Sequence, residues 1–455
     1  MKLSDLSAIS PIDGRYSKLV TELQEIFSEY GLIKYRIFVE IEWFIHLSNQ
    51  SNIKELPKLT KTTTNSLRLL YKKFNLREAK KVKNIERKTN HDVKAVEYYL
   101  KNKFFEVEKL KDLSEFIHFC CTSEDINNIA YALMVRDASK LIISSHTKKL
   151  NTLLKNKAHL YAGIPMLSRT HGQAATPTTL GKELANFSYR IDLISKKISS
   201  IKLKGKMNGA VGNYNAHVVA YPKVDWEKVS KIFVGDLGLD WSPYTTQIEP
   251  RETLTELLHA FERLNNVLID LSRDFWGYIS LDYFSLFLNK EEVGSSTMPH
   301  KINPIDFENA EGNLGMANAN FHLLASKITI SKWQRDLTDS TSMRNLGSCF
   351  SYTLIAISSL IKGLNKLKVN IKVIENDLNN TWEVLTEPIQ TIMRKFGLKG
   401  GYDLLKDSSR GKQITKEQVH IFIKNLNIPL IEKTKLLNLT PLSYTGLSKK
   451  LADDI

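Results

Sequence analysis

The longest stretch without a helix breaker constrains the fold most. From Glu124 to Ala162 the chain contains neither glycine nor proline, and one unbroken α-helix over this run would be about 60 Å long at ~1.5 Å per residue. Thr122 or Ser123 can cap its start, and the acidic Asp125 favours the positive end of the helix dipole. Helices of this length bury their apolar stripes against one another, so the sequence predicts a helical bundle.

Three other stretches carry apolar residues at alternating spacings of three and four, which is typical of helices that pack along a seam. They are Leu184–Ile201, Leu254–Phe275 and Phe350–Leu364. The segment from Gly205 to Pro250 is rich in glycine, asparagine and proline, so we expect an irregular excursion that includes a hairpin. About forty residues before Gly294 read as one long helix, and Pro304 begins the next one.

We therefore predict an all-α protein with three domains. An N-terminal helical domain occupies residues 1–112, a central bundle of long helices occupies 113–366, and a C-terminal helical domain occupies 367–455.

Charge and cysteine content narrow the classes of function. The net charge of +15 raises nucleic acid as a partner, but the lysines are spread along the chain and form no arginine-rich patch with interleaved aromatic residues. We favour a solvated basic surface that draws in small anionic substrates.

Three cysteines without a Cys-x-x-Cys pair indicate a reducing compartment. The N-terminus lacks the apolar run of a signal peptide, and no stretch approaches ~18 continuous apolar residues. We expect a soluble cytoplasmic protein without a membrane partner.

Several polar clusters lie where the helical pattern breaks, which is where binding and catalytic residues concentrate. Their number, without the spacing of a metal site, favours a site for a multiply anionic ligand. The clusters are Arg15-Tyr16, Asn90-His91-Asp92, Thr122-Ser123, Thr170-His171-Gly172-Gln173, Gly294–Glu308, Arg335 and Ser340–Arg344.

The stretch Gly294–Glu308 presents Ser295, Ser296, Lys301 and Asn303 in a sequence that suits no apolar core. No Gly-x-Ser-x-Gly pattern surrounds the serines, which argues against acyl transfer. From the residues alone, the two serines are best interpreted as anion-binding hydroxyls beside Lys301, with a catalytic role as the second interpretation.

Two histidines have open interpretations. His171 lies between Thr170 and Gly172-Gln173, and a loop histidine of this kind acts either as a hydrogen-bonding spacer or as an acid or base with orienting partners. His91 stands beside Asp92, which either raises its pKa or fixes its tautomer.

A di-metal site is an alternative that the sequence supports only weakly. Glu115–His118 and Glu256–His259 are two Glu-x-x-His pairs of the kind found in carboxylate-bridged bundles. Chance supplies about one such pair, and the two further bridging glutamates cannot be identified. We expect no metal and no organic cofactor, and no phosphate-binding loop or dinucleotide fingerprint is present.

The motifs resemble a known family. Gly294–Asn303, Thr122-Ser123-x-Asp125 and Thr170–Gln173 are similar to the three shared regions of the fumarase/aspartase superfamily. Further motifs resemble its adenylosuccinate lyase branch, in the bacterial purine-biosynthetic group, and run from the first residues to the C-terminal part. They are Ser10–Tyr16, Thr89–Glu97, Asn208–His217, Tyr244–Pro250 and Trp333–Ser340.

This resemblance implies β-elimination of fumarate from adenylosuccinate, giving AMP, and from the succinyl-carboxamide ribotide SAICAR, giving AICAR. It assigns Ser295 as general base and His171 as general acid, which replaces the anion-binding interpretation of Ser295. No cofactor is required, because the chemistry is proton transfer and stabilisation of negative charge.

The resemblance also implies a set of substrate contacts. Lys301 and Asn303 match residues that hold the substrate and the loop, and the arginines suit carboxylate or phosphate. The full set is Arg15, Tyr16, Asn90, His91, Asp92, Thr122, Ser123, Gln247, Ser296, Lys301, Asn303, Asn309, Arg335, Ser340, Thr341, Ser342, Met343 and Arg344. One departure is Ala174, where many relatives have proline; it removes no reacting group.

Helix length predicts a site shared between chains. Thr122-Ser123 precedes the long helix and His171 follows it, so a straight helix would separate them by about 50–60 Å. They meet only if a neighbouring antiparallel chain supplies one of them, and the family implies a homotetramer with three chains at each site. The alternatives are another superfamily lyase, such as fumarase or argininosuccinate lyase, and a lysine-rich nucleic-acid-binding helical protein.

Overall fold

The computed structural model describes residues 4–287, 297–298, 300–398 and 414–455. The helices are α1 Thr21–Phe27, α2 Glu29–Ser48, α3 Lys61–Lys72, α4 Leu76–Thr89, α5 Asp92–Phe105, α6 Glu108–Lys111, α7 Ser123–Leu141, α8 Lys148–Leu160, α9 Leu180–Ser200, α10 Asn215–Ala220, α11 Trp226–Asp236, α12 Glu252–Ser280, α13 Ile305–Lys327, α14 Thr338–Met343, α15 Leu346–Lys366, α16 Ile371–Asn379, α17 Thr386–Lys395, α18 Lys416–Asn425, α19 Leu430–Asn438 and α20 Ser448–Asp453. The strands are β1 Pro165–Thr170, β2 Gln173–Thr179, β3 Lys204–Gly205, β4 Asp240–Trp241, β5 Phe284–Leu286 and β6 Leu367–Val369.

Helices dominate the described residues, which confirms the predicted fold class. The strands form two-stranded sheets: β1 with β2 and β5 with β6 are antiparallel, and β3 with β4 is parallel. The predicted hairpin between Gly205 and Pro250 is wrong. This segment contains α10 and α11 instead, because Asp225 caps α11 and the helix buries Trp226 and Phe233.

The long helix is confirmed as helical but not as one uninterrupted α-helix. It starts at Ser123 with a capping box between Thr122 and Asp125. A π-helical segment at Ile142–Thr147 then separates α7 from α8. Such segments are rare and occur mostly as insertions within α-helices.

The other seams are confirmed as buried helix faces, and the predicted helix boundaries needed one correction. Leu258, Phe261, Leu264, Leu268 and Leu271 of α12 are each fully buried. However, α12 ends at Ser280 and the short strand β5 follows, so the forty-residue helix was predicted too long. Pro304 directly precedes α13 and its carbonyl accepts the first hydrogen bonds of that helix, as expected.

The chain forms two compact units. The first comprises Met1–His146, Ile194–Asn266 and Gly312–Ser358, and the second comprises Thr147–Leu193, Val267–Glu311 and Ser359–Ile455. In the first unit, the rings of Phe27, Phe261, Phe321 and Phe350 pack with centroids 4.9–5.7 Å apart. In the second, Phe275 packs on Phe284 and Phe307. The three-domain division stays a prediction.

One helical stretch, Thr338–Lys366, is long and apolar enough to cross a membrane by length and composition alone. In the fold, 61% of its apolar window is buried. A core helix meets the same criterion, and the full burial of Phe350, Leu354 and Ile357 agrees with that interpretation.

Candidate active site

Four of the predicted polar clusters converge on one cavity in the first unit. Its volume is about 590 Å³, and it is bordered by the starts of α5 and α7, the 247 region, the loop before α14 and α14 itself. The lining residues are His91, Asp92, Thr122, Ser123, Asn127, Gln247, Lys332, Trp333, Gln334, Arg335, Asp336, Leu337 and Ser340. Residues distant in sequence thus form a single polar pocket.

The Asn90-His91-Asp92 cluster joins α4 to α5. Asn90 has the left-handed backbone conformation (φ 50°) that ends α4, and asparagine tolerates it well. His91 caps α5, with its Nδ1 accepting the backbone N–H of Lys94 at 3.1 Å. A neutral His91 ring therefore carries its proton on Nε2 and presents a donor. Its half-exposed side chain suits hydrogen bonding to an anionic ligand.

Asp92 joins two arginines at the edge of the cavity. Its Oδ2 accepts from Arg36 at 2.7 Å and from Arg344 at 3.0 Å. Burial opposes ionisation of Asp92, but the two guanidinium groups outweigh it and hold the pKa of this carboxyl below its ordinary value. Arg344 also donates to Glu29 at 2.8 Å. Two carboxylates therefore hold the Arg344 guanidinium in place.

Thr122 and Ser123 are fixed by a buried ion pair below them. Asp125 Oδ2 accepts the Thr122 backbone N–H at 2.8 Å, and Asp125 Oδ1 lies 2.9 Å from Lys206 Nζ. Both charged side chains are fully buried. Asp125 also accepts the backbone N–H groups of Asn208 and Gly209, so its oxygens are satisfied. The start of α7 is thereby bound to the 206–209 segment.

Arg335 belongs to a compact group of alternating charges. Glu124 lies 3.2 Å from Arg335 through Oε1 and 3.1 Å from Arg251 through Oε2. Asp339 contacts the same two arginines, at 3.6 and 2.7 Å. Arg251 and both carboxylates are almost fully buried, whereas Arg335 keeps 15% of its side chain exposed. Arg335 also donates to Gln247 Oε1 at 3.4 Å. The group aims one guanidinium at the cavity.

A second buried pair supports the segment that leads into Thr122. His118 Nδ1 lies 2.6 Å from Glu40 Oε1, and the Glu40 side chain is fully buried. Burial alone would lower the pKa of His118, but the charge and hydrogen bond of Glu40 outweigh it and raise this pKa. His118 adopts a left-handed conformation (φ 59°), so the pair holds a sharply turned backbone.

His171 lies in the second unit, at the tip of the β1–β2 hairpin. Thr170 pairs with Gln173, and the two turn residues His171 (φ 54°) and Gly172 (φ 74°) both have positive φ, as a type I′ turn requires. Pro177 lies within β2, and α9 begins only at Leu180. The β-branched threonines that surround it favour a strand. The His171 side chain is exposed.

The remaining predicted residues are distributed as follows. Ser295 and Ser296 lie outside the described residues. Lys301 is exposed, Asn303 is half-buried, and Asn309 accepts a hydrogen bond from Ser359 at 2.8 Å; all belong to the second unit.

The predicted positions near the N-terminus and on α14 differ in exposure. Arg15 is exposed, with its guanidinium 6.0 Å from the centre of the Tyr16 ring. On α14, Thr341 is exposed, Ser342 donates to the Thr338 carbonyl, and Met343 is 2% exposed. The Met343 side chain therefore packs inside the unit rather than facing a ligand.

The di-metal alternative receives no support from the histidine pairs. Glu115 ion-pairs with Lys101, and His118 lies beyond a one-turn 3₁₀ helix rather than on a helix with Glu115. His259 contacts Glu262 and is exposed. Among the residues that the structure describes, no group of three or more histidine, cysteine, aspartate or glutamate side chains is arranged to hold a metal ion.

The buried charged residues that pair with the residues of the site were not predicted from the sequence. Arg36 and Glu40 stand within the apolar run of α2, and both side chains are buried. A charged residue amid buried apolar positions needs a charged or hydrogen-bonding partner, and that signal was available. Lys206 and Arg251 gave no such signal, since their surroundings in sequence are polar.

Comparison with known proteins identifies the family. A family model described as Lyase matches residues 14–318, and one described as Adenylosuccinate lyase C-terminal matches residues 331–445. The chain is 51% identical over 455 residues to the adenylosuccinate lyase of Buchnera aphidicola subsp. Schizaphis graminum and 50% identical over 455 residues to that of Escherichia coli K12, covering 100% of each chain. The chain belongs to the adenylosuccinate lyase family. It is therefore a lyase.

Solved structures agree with the fold of the adenylosuccinate lyase family. A fumarate lyase from Mesorhizobium sp. BNC1 matches with a TM-score of 0.76 at 16% identity, covering 95% of this chain and 97% of that one. The β-carboxy-cis,cis-muconate cycloisomerase of Acinetobacter calcoaceticus sp. ADP1 matches with a TM-score of 0.71 at 17% identity, covering 97% and 99%. At this identity the match concerns the fold alone.

The buried ion pair predicts a large effect of Lys206→Met. This change keeps most of the side-chain volume but leaves the buried Asp125 charge without its partner, so we expect a loss of about 3–5 kcal/mol in the free energy of unfolding. Urea unfolding at fixed protein concentration measures it, with the exposed Lys204→Met as control. The double variant Asp125→Asn/Lys206→Met should be less destabilised than the single one. A single variant within about 1 kcal/mol of wild type would contradict the assignment.

The His118–Glu40 pair predicts a pH-dependent contribution to stability. The pKa of His118 is raised in the folded state, so the pair's contribution is full below pH about 6.5 and is lost as pH rises through the folded pKa. His118→Asn removes the charge and tolerates positive φ. The unfolding free energies of variant and wild type, measured from pH 6 to 9, should therefore converge as pH rises. A constant gap for His118→Asn would refute the ionic pair.

Proposed function

We propose that the chain catalyses β-elimination of fumarate from adenylosuccinate, giving AMP, and from SAICAR, giving AICAR, in purine nucleotide biosynthesis. The observation that carries the proposal is the cavity in the first unit. It places Arg335 and, at the rim, Arg344 with the helix starts that carry Thr122, Ser123 and His91. Guanidinium groups and helix N-termini bind carboxylates and phosphates, which both substrates carry.

The reaction proceeds by proton transfer without a metal or organic cofactor. Ser295, as general base, removes the proton from the carbon beside a succinyl carboxylate. The electron pair of the resulting aci-carboxylate carbanion forms the double bond of fumarate, and the carbon–nitrogen bond breaks with its electrons going to the nitrogen. His171, as general acid, protonates this departing nitrogen. Cationic and hydrogen-bonding groups stabilise the charge that accumulates on the carboxylate. We assign Lys301 and backbone N–H groups of the 294–308 segment to favouring the Ser295 alkoxide.

The substrate contacts follow from the motif positions. Arg335 and Arg344 keep 15% and 40% of their side chains exposed beside the carboxylates that they contact, and we assign Lys301 and Asn303 to holding the substrate and their own loop. The N-terminal Arg15 and Tyr16 complete the set together with Asn90, Gln247, Asn309, Ser340, Thr341 and Ser342, whereas Met343 is left out because its side chain is buried.

We further propose a cytoplasmic homotetramer whose sites combine residues of different chains. Two features support it. Helical structure occupies every position from Ser123 to Leu160, between the two motifs, and His171 stands on an exposed hairpin tip suited to reaching a neighbouring molecule. We also propose that the chain has three domains, namely an N-terminal helical domain, a central bundle of long helices and a C-terminal helical domain.

An assay of the purified protein tests the reaction. Adenylosuccinate should be consumed with stoichiometric formation of fumarate and AMP, and SAICAR should yield AICAR. Ser295→Ala and His171→Asn should each lower kcat by about 10²-fold or more, since general acid–base groups contribute 10²–10⁴-fold. Asparagine suits position 171 because it keeps the positive φ of the turn. No turnover of adenylosuccinate, with turnover of argininosuccinate instead, would assign a different lyase reaction.

Mixing two inactive variants tests the shared site. His171→Asn and Ser295→Ala subunits should regain activity when they are mixed under conditions that allow subunit exchange, because some sites then draw both intact residues from different chains. Mass spectrometry of differently labelled subunits verifies the exchange. If exchange is complete and activity stays at the level of the separate variants, both residues of a site come from one chain.

A further inference from the structure

The tip of the His171 hairpin extends beyond the part of the hairpin that the core holds. Met166, Leu167 and Thr179 at its base are buried, whereas the tip from Arg169 to Ala174 is exposed. A methyl group added at Gly172 would meet nothing within 4 Å. An isolated two-stranded hairpin is only marginally stable in water. The position of the tip therefore depends on side-chain anchors along its length.

Arg169 provides the anchor nearest to His171. Its Nη2 donates to Asp377 Oδ2 of α16 at 2.7 Å, only two residues before the turn. A second anchor, between Thr176 and Glu387 of α17, lies farther from the tip on β2. All of these residues belong to the second unit.

Asp377 is itself connected to the core of that unit. The hydroxyl group of Tyr283, a residue that is 1% exposed, donates to the same Asp377 Oδ2. The beginning of α16 is tied to the same segment, because Asn370 donates from its backbone to the Tyr283 carbonyl at 2.9 Å and from its side chain to the Asp282 carbonyl at 2.7 Å. A continuous series of hydrogen bonds thus runs from a buried tyrosine to the base of the turn.

The Arg169–Asp377 pair is better suited to positioning than to stability. About a third of each side chain is exposed, so water screens the attraction and its contribution to folding is small. Its geometry still limits where the tip lies. A displacement of about 1 Å of a catalytic group can lower turnover about 10²-fold.

We propose that Asp377 is a positioning residue for His171, acting through Arg169 to fix the hairpin tip in the geometry that proton transfer to the departing nitrogen requires. This inference rests on the proposed role of His171 as general acid. Asp377 itself touches neither substrate nor the reacting atoms in this assignment.

Steady-state kinetics of the full-length oligomer test the proposal. Asp377→Ala should lower kcat for adenylosuccinate by about 10- to 100-fold with KM changed less than about 3-fold, because binding groups are untouched. Arg169→Met should give a loss of similar size, and Asp377→Glu, which keeps the carboxylate, should recover most of the activity. Asp192→Ala is the matched control, since Asp192 also joins two donors, Asn151 and Lys155, on helices of the same unit. Its kcat should stay at the wild-type value.

A double variant that combines Asp377→Ala with His171→Asn distinguishes a positioning role of Asp377 from a general structural role. In a His171→Asn background, adding Asp377→Ala should cause no further loss of kcat, because the group it positions is already absent. Equal fold-losses in both backgrounds, or a normal kcat in Asp377→Ala, would overturn the inference alone. A near-normal kcat in His171→Asn would overturn the acid assignment and this inference with it. Should Asp377→Ala fail to assemble, Arg169→Met carries the same comparison.

Discussion

The buried pair of Asp125 and Lys206 is the interaction on which the cavity depends. Taking both charges out of water is unfavourable, and it is tolerated because each charge has its partner and hydrogen bonds to the surrounding backbone. The same Asp125 closes the capping box of α7, so a single carboxylate ends the irregular segment before Thr122 and begins the longest helical run. The helix N-terminus that faces the cavity therefore cannot shift without exposing a buried charge.

The guanidinium groups around the cavity are held in place before any ligand arrives. Arg344 lies between Asp92 and Glu29, and Arg335 lies between Glu124 and Asp339. Such pairing limits the loss of side-chain entropy on binding, which is the general advantage of preorganisation. The carboxylates also offset the mutual repulsion of the neighbouring positive charges, because Glu124 and Asp339 each contact both Arg251 and Arg335.

Much of the site could be predicted from the sequence, for reasons particular to each motif. Thr122 and Asp125 show the spacing of a capping box, and His91 and Thr170–Gln173 are polar residues at points where the helical pattern of the sequence breaks. The hairpin around His171 could not be predicted, since a six-residue strand with a His-Gly turn gives no periodic signal beside two long helices. The π-helical segment at Ile142–Thr147 was equally hidden, because its composition permits an ordinary α-helix.

The sequence by itself determined the all-α class, the seams that become buried helix faces, and the family, because these depend on local periodicity and on short motifs. Only the tertiary structure decided which charges meet. Arg36 reaches Asp92 across 56 residues of sequence and Arg169 reaches Asp377 across 208. Ion pairs form between side chains that packing brings within about 4 Å, and no spacing along the chain records that proximity. For this reason His171, the proposed general acid, was visible in the sequence, whereas Asp377, which anchors its hairpin through Arg169, was not.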